Sequence, residues 1–275
     1  MCELLGLSSA DEVSFRFSLE AFALHGGRTH ANKDGWGLSL RSGRETFLVK
    51  EAVPASDSSW VRLVEREDTR TSLAIAHVRR ASKGSLSLEN THPFKREMGG
   101  SVHVFAHNGD VSPLCEAVPL DAAHFQPIGE TDSEHAFCLL LESLSKQAAA
   151  SGAALDLDAK METVVDFAKT LRGYGTANFL YSDNEFLFVH AHKRRYDDGG
   201  LVSEPRWPGL QMRTVGAGSD LSSAGVFVEP GGTEVVLIAS VPLHDDESWE
   251  PIPEATVLAL RDGAVVARSD GGTGR

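Results

Sequence analysis

The order of secondary-structure signals narrows the folds open to this chain more than any other feature: strand-forming runs, then a helical middle, then strand-forming runs again. Thr131-Asp132-Ser133-Glu134 has the spacing of a capping box, and an apolar face from Ala136 to Leu144 follows it, which predicts a helix over 131–145. A second helix is predicted over 158–171, after an Ala-, Ser- and Gly-rich stretch, 148–156, that reads as a surface connection. Ahead of them, Glu3 to Leu7, Trp36 to Leu40, Glu45 to Lys50, Ser72 to Val78 and Val102 to Ala106 read as strands. Behind them, so do Asn178 to Tyr181, Phe186 to Ala191, Val235 to Val241 and Thr256 to Leu260. Arg41-Ser42-Gly43-Arg44 and Arg261-Asp262-Gly263 are turn signals, and Asn108-Gly109 is a tight-turn signal at the end of its strand. A helix is expected over 14–24 and a weaker one over 57–66, while 80–100 carries few signals of either kind and reads as an ordered loop. No repeat and no shift of composition cuts the chain. One layered domain over residues 2–268 is therefore expected, with 269–275 as a frayed tail.

Charge and cysteine usage exclude several classes. The formal net charge is −13 with no block of Lys or Arg, so nucleic acid and anionic membrane surfaces are not expected as partners. The chain has 3 cysteines, Cys2, Cys115 and Cys138, too few and too scattered for a disulfide framework, and a reducing cytoplasm is the expected location. No signal-peptide pattern opens the sequence and no apolar run is long enough to span a membrane. His190-Ala191-His192 puts two imidazoles on one face of a strand, but no Cys or acidic third ligand lies near it in sequence; no metal and no cofactor are expected.

The residue with the most specific chemistry is Cys2. Once Met1 is removed, Cys2 carries both a thiol and an α-amine, with ordinary pKa values of about 8.5 and about 7.7–8.0, close enough for proton exchange near neutrality. The thiolate is a nucleophile and the neutral amine can serve as its base. Acyl transfer also needs oxyanion donors, which the Asn108 side chain and the Gly109 N–H could supply. A free amino acid as substrate would want a cation for its carboxylate, such as Arg79, and a carboxylate for its ammonium, such as Asp132. Each has a plain alternative: a hairpin turn, a surface ion pair, and a helix-terminal charge stabilised by the dipole.

Taken together, Met1-Cys2-Glu3-Leu4-Leu5-Gly6, Asp34-Gly35-Trp36-Gly37, His77-Val78-Arg79, Asn90-Thr91-His92-Pro93-Phe94, Ala106-His107-Asn108-Gly109 and Gly129-Glu130-Thr131-Asp132-Ser133-Glu134 resemble, in this order, the class II glutamine amidotransferases. The resemblance is to their small stand-alone, YafJ-like type and extends to the stretch Leu237 through Trp249. It implies an α+β fold, the four-layer αββα sandwich of the N-terminal-nucleophile hydrolases, with two antiparallel sheets between helical layers. It implies Cys2 as the nucleophile that forms a γ-glutamyl thioester, Asn108 and Gly109 as the oxyanion hole, and Arg79, Asp132, His92 and His107 around the substrate. The implied activity is release of ammonia or an amine from glutamine or a γ-glutamyl compound. The alternative is a non-catalytic or partner-dependent glutamine-binding subunit of a two-component amidotransferase. The implied partners are the small-molecule substrate and, if ammonia is passed on, a separate acceptor-domain protein; a homodimer is left open. Where the large synthases read Trp-Ala-Thr-His-Gly, this chain reads Arg80-Ala81-Ser82-Lys83-Gly84, and the loop that begins there is the candidate lid.

Overall fold

The computed structural model describes residues 2–14, 34–54, 57–60, 69–79, 85–196, 201–216, 220–221, 226–227, 232, 234–243 and 248–271. They form two large antiparallel sheets. Strands β1 (Glu3–Ser14), β2 (Trp36–Ser42), β3 (Glu45–Glu51), β4 (Arg70–Val78), β9 (Gln211–Val215), β12 (Val235–Ala239) and β13 (Glu250–Pro251) build the first, in the order β13-β9-β12-β1-β4-β2-β3. The second contains β5 (Phe94–Met98), β6 (Ser101–Asp110), β7 (Thr176–Ser182), β8 (Leu187–His190), β14 (Val257–Arg261) and β15 (Ala264–Ser269), in the order β15-β14-β8-β7-β6-β5. A small ribbon pairs β10 (Asp220–Leu221) with β11 (Val226–Phe227). Three described helices, α1 (Leu114–Ala117), α2 (Asp132–Ser151) and α3 (Leu157–Tyr174), lie between β6 and β7 in the chain.

Strands β4, β7, β8 and β12 are buried on both faces, and side-chain alternation sends successive residues to different cores. Along β1, Leu5 and Leu7 join one cluster with Trp36, Leu38, Ala76 and Leu237, while Leu4 joins another with Ile75, Val104, Leu180 and Ile238. The second cluster holds residues of both sheets and is the core between them. The opposite face of the second sheet packs Phe105, Phe179, Tyr181 and Phe188 against Phe137, Leu140 and Leu141 of α2 and Phe167 and Leu171 of α3. The architecture is the αββα sandwich, with the site-bearing strands β1, β4, β6 and β7 inside it.

Local chemistry sets the helix ends. The Thr131 hydroxyl accepts from the Glu134 N–H at 3.2 Å, and the Glu134 carboxylate accepts from the Gly129 N–H at 2.7 Å and pairs with Arg96. Helix α2 runs through the Ala-rich stretch read as a connection and ends at Ser151, because Ala favours helix and Gly152, at φ 67°, supplies the left-handed cap.

Other expectations need correction. Asn108-Gly109 is not a turn: β6 continues to Asp110, with Asn108 opposite Asn178 and Gly109 opposite Ala177, and neither residue has positive φ. Glycine is required there for close approach, since a Cβ on Gly109 would stand 1.8 Å from the Thr176 carbonyl oxygen. The loop assigned to 80–100 contains β5, paired with β6. Strand β1 is 12 residues long rather than the five of Glu3 to Leu7, and it ends at Ser14. The rest of the helix expected over 14–24, most of that over 57–66, the segment Arg80 to Gly84 and residues 272–275 of the tail lie outside the described residues.

Candidate active site

At one end of the sandwich the core between the sheets changes from apolar to polar within a single side-chain layer. The inward residues Leu4 of β1, Ile75 of β4, Ala106 of β6, Leu180 of β7 and Ile238 of β12 belong to the apolar core. Two residues along each strand in the same phase stand Cys2, His77, Asn108, Asn178 and Ser240, with Arg79 next after His77. Register fixes the assembly: Glu3 pairs with Val78, Leu4 with His77, and Leu5 with Ala239. Cys2, Arg79 and Ser240 therefore come to the same edge from three neighbouring strands.

Hydrogen bonds tie this edge to the second sheet. The Asn108 side-chain amide donates to the Cys2 carbonyl at 2.6 Å and to the Ser240 hydroxyl at 3.4 Å, and that hydroxyl also accepts from the Leu4 N–H at 3.0 Å. Asn178 braces Asn108 from behind: its amide donates to the Asn108 carbonyl at 3.1 Å and to the Lys193 carbonyl at 2.8 Å, and its oxygen accepts from the His192 N–H at 2.7 Å. The Arg79 N–H donates to the Gly35 carbonyl at 2.8 Å, and its guanidinium, 3% exposed, donates to the Ser85 carbonyl at 3.2 Å.

Of the residues singled out from sequence, Cys2, Asn108, Gly109 and Arg79 thus meet at one sheet end. Asp132 begins α2 beyond β6; its carboxylate accepts from the Val111 N–H at 2.8 Å and from the Ser133 hydroxyl at 3.3 Å. His107 points into the helix-facing layer, where its Nδ1 bonds the Ser133 hydroxyl at 2.9 Å, so it supports the start of α2. His92 stacks on His77 with ring centroids 4.3 Å apart and on Phe94 at 4.4 Å. Neither His77 nor His92 makes a side-chain hydrogen bond within the described protein, although His77 stands close to the His107 backbone.

Burial sets the charge state of this cluster. It pushes His77 down to about 3, with the Arg79 charge acting in the same direction, and holds His92 well below the ordinary imidazole range. His107 is lowered by burial against the opposing pull of the Asp132 carboxylate. With these three imidazoles neutral, Arg79 is a cation beside them. Lys50, its amine lowered to about 8 by burial, donates to the Thr91 carbonyl at 2.7 Å and holds the loop that carries His92.

The sequence reading missed Glu3, Asn178, Arg194 and Ser240. Asn178 was visible in principle as a polar residue in phase with the apolar inward face of its strand, and Ser240 lies within the Leu237 to Trp249 stretch. Of the His190/His192 pair, the His190 Nδ1 bonds the Thr256 carbonyl at 2.9 Å and its Nε2 faces the Arg172 guanidinium at 3.5 Å, while the His192 Nε2 faces Glu254 at 3.6 Å. Asp121, His124 and Glu142 could approach one ion together, but Glu142 already pairs with Lys146 at 3.0 Å and His124 with Asp121 at 3.2 Å.

Two antiparallel sheets packed face to face, with Cys2 leading the central strand into a polar edge, give the chain an αββα fold with its candidate site at one end. The family described as glutamine amidotransferases class-II matches residues 1–273, and the chain belongs to it. It is 31% identical over 252 residues to YafJ of Escherichia coli (strain K12), named a glutamine amidotransferase, a match covering 92% of this chain and 94% of that protein. The crystal structure of a predicted glutamine amidotransferase from Pseudomonas aeruginosa PA01 superposes with a TM-score of 0.68 at 26% identity, over 97% of this chain and all of that one. The glutamine phosphoribosylpyrophosphate amidotransferase of B. subtilis shares the fold, with a TM-score of 0.61 at 16% identity, over 99% of this chain and 50% of that one. Membership places the chain among proteins that hydrolyse or transfer the glutamine amide. No described helix is long and apolar enough to cross a membrane.

Proposed function

We propose that this protein is a thiol-dependent amidohydrolase acting on glutamine or a γ-glutamyl amide. The observation that carries the proposal is the 2.6 Å hydrogen bond from Asn108 to the Cys2 carbonyl, which joins the nucleophile candidate of one sheet to the oxyanion candidate of the other. With Met1 removed, the Cys2 α-amine takes the thiol proton and the thiolate attacks the γ-carbonyl carbon. The tetrahedral oxyanion is met by the Asn108 amide and the Gly109 N–H. The ammonium of Cys2 then protonates the leaving amine, and water resolves the γ-glutamyl thioester to glutamate and free thiol. Arg79 holds the substrate α-carboxylate and Asp132 its α-ammonium, while His92 and His107 keep those two groups in place. With Met1 attached, the nitrogen of Cys2 is an amide and no base, so that form is inactive.

The test is glutamate release by Met1-free protein from glutamine and a panel of γ-glutamyl amides, with Cys2→Ala alongside. Release that disappears in Cys2→Ala is the expected result. No release from any substrate, together with no covalent adduct of diazo-oxo-norleucine on Cys2, overturns the proposal in favour of a binding subunit.

A further inference from the structure

The residue after the nucleophile is a buried acid. Glu3 is 1% exposed, and it follows directly in sequence the residue whose amine is proposed as the catalytic base. A bare carboxylate there would stabilise the ammonium form and raise the amine pKa, removing the neutral base at physiological pH. Its partner is Arg194, 5% exposed, whose guanidinium grips Glu3 with two bonds of 2.8 and 3.2 Å and also donates to the Ser240 carbonyl. Arg194 is held in turn: its backbone exchanges two hydrogen bonds with Arg206 at 3.0 and 2.8 Å, and its guanidinium lies 5.1 Å from the centre of the Tyr196 ring. The segment leading to it is fixed to the oxyanion strand, since Asn178 binds His192 and Lys193 as well as the Asn108 carbonyl.

Glu3, Arg194, Ser240, Asn108 and Asn178 thereby close a ring of bonds around the backbone of Cys2. A brace alone would not need a charged pair at its centre, because burying both ions carries a desolvation penalty that apolar packing avoids.

We infer that Arg194 is a positioning residue that neutralises Glu3 and so lets the Cys2 α-amine act as a free base near neutral pH. The inference rests on the reading of Cys2 as a nucleophile served by its own amine. Other charged or titratable groups stand on the elements around Cys2. Among the described residues they include Arg79 and the neutral His77 of β4, Asp34 ahead of β2, Asp110 at the end of β6, Asp132 on α2, and His192 and Lys193 on the segment leading to Arg194. Ser240 and Asn178 bring no charge. Glu3 and Arg194 are the pair whose removal, one at a time, changes the field at the amine in opposite directions while the other groups stay as they are.

The experiment is a pH titration of the Cys2 α-amine in Met1-free protein, followed by its rate of acylation, which needs no turnover, and in parallel by the acid limb of kcat/KM. Glu3→Gln keeps an acceptor for Arg194 and leaves its cation uncompensated; the amine pKa is expected to fall by about one unit. Arg194→Gln leaves the carboxylate uncompensated, and the amine pKa rises by about one unit. The double variant returns to the parent value. A brace without an electrostatic role leaves the titration at the parent value in Glu3→Gln, the variant most tolerant of the change, and that result overturns the inference even if Arg194→Gln does not fold. Shifted titrations without turnover on any γ-glutamyl substrate would sink the proposed activity and leave the pair standing; turnover with unshifted titrations would do the reverse.

Discussion

Gly109 offers the sharpest test of how the site is held. Replaced by alanine, it places a Cβ 1.8 Å from the Thr176 carbonyl oxygen, 2.6 Å from the His107 Nε2 and 2.7 Å from the Thr176 carbonyl carbon. Real Cβ atoms essentially never come within 3.0 Å of such atoms, so β7 must move away from β6 by more than 1 Å. Two of the three contacts are backbone, which no rotamer change relieves. Overpacking of this kind costs about 1–3 kcal/mol. Weakening one or two ladder bonds beside Asn108 and Gly109 adds about 1 kcal/mol each. A loss of about 2–5 kcal/mol is therefore expected from a total of about 5–15 kcal/mol for a typical fold. Function falls further, because Asn108 lies one residue away and a 1 Å displacement of a positioning group costs about a hundredfold in rate.

The comparison variant is Gly43→Ala, at the tip of the β2–β3 hairpin, where φ is 59° and nothing lies within 4 Å of the added Cβ. It bears only the left-handed backbone penalty of about 1–2 kcal/mol. Urea denaturation of both variants, with glutamate release measured on the folded fractions, separates close approach from backbone conformation. The account of the β6–β7 junction fails if Gly109→Ala is as stable as Gly43→Ala and turns over at the parent rate.

Asn178→Ala removes three hydrogen bonds of 2.7–3.1 Å at once and is expected to cost about 2–4 kcal/mol by urea midpoint, with kcat/KM reduced because Asn108 loses its brace. His77 and His190 are both held at about 3 in the fold against 6.5 in an unfolded chain, so the unfolded state binds more protons between those values. Stability is then full above pH 6.5 and falls as pH drops toward 3, by about 1.4 kcal/mol per unit for each histidine. His190→Leu should remove one such contribution; urea midpoints that decline identically in parent and variant between pH 6 and 4 would refute it. Iodoacetamide at pH 8 should alkylate the exposed Cys115 of the native protein and spare Cys138, which is buried with its thiol raised to about 11, until denaturant is added; mass spectrometry of peptides reads both sites.

The sequence carried the fold where one signal dominated. The capping box at Thr131, the hairpin at Gly43 and the apolar runs of β4, β7 and β12 all stand where their patterns placed them. It failed where two requirements share a residue. Asn108-Gly109 has the composition of a tight turn, but the glycine is selected for its missing Cβ inside a strand, a requirement set by Thr176, which lies far away in sequence. Strand β5 hid because Lys95, Arg96 and Glu97 follow one another, the composition of a sheet edge protected by charge, and only Phe94 and Met98 show its apolar phase. Cys2, Asn108, Gly109 and Arg79, which come together at one sheet end, could be singled out because six ordered motifs resemble one family, although each alone had a plain alternative. Arg194 and Ser240 could not, since a buried arginine and a buried serine look like surface residues until a partner such as Glu3 is located in space.

The proposed nucleophile, Cys2, faces a physical difficulty that this arrangement answers. Terminal residues fray, because few contacts offset the entropy of fixing them, yet an attacking sulfur must be held to a fraction of an ångström. Strand β1 lies in the interior of its sheet, with β12 on one side and β4 on the other, so Leu4 and Leu5 are fixed from both edges. Cys2 lies one residue beyond the last ladder pair with β4, and its carbonyl is taken instead by Asn108 of the other sheet. The Glu3–Arg194 pair, bonded at 2.8 and 3.2 Å, ties the residue after Cys2 to another segment of the chain. Had β1 been an edge strand, one side of this anchoring would be lost, and the same cysteine would sample too many positions to be a catalyst. The central placement of the first strand is thus a requirement of the proposed chemistry as much as a property of the fold.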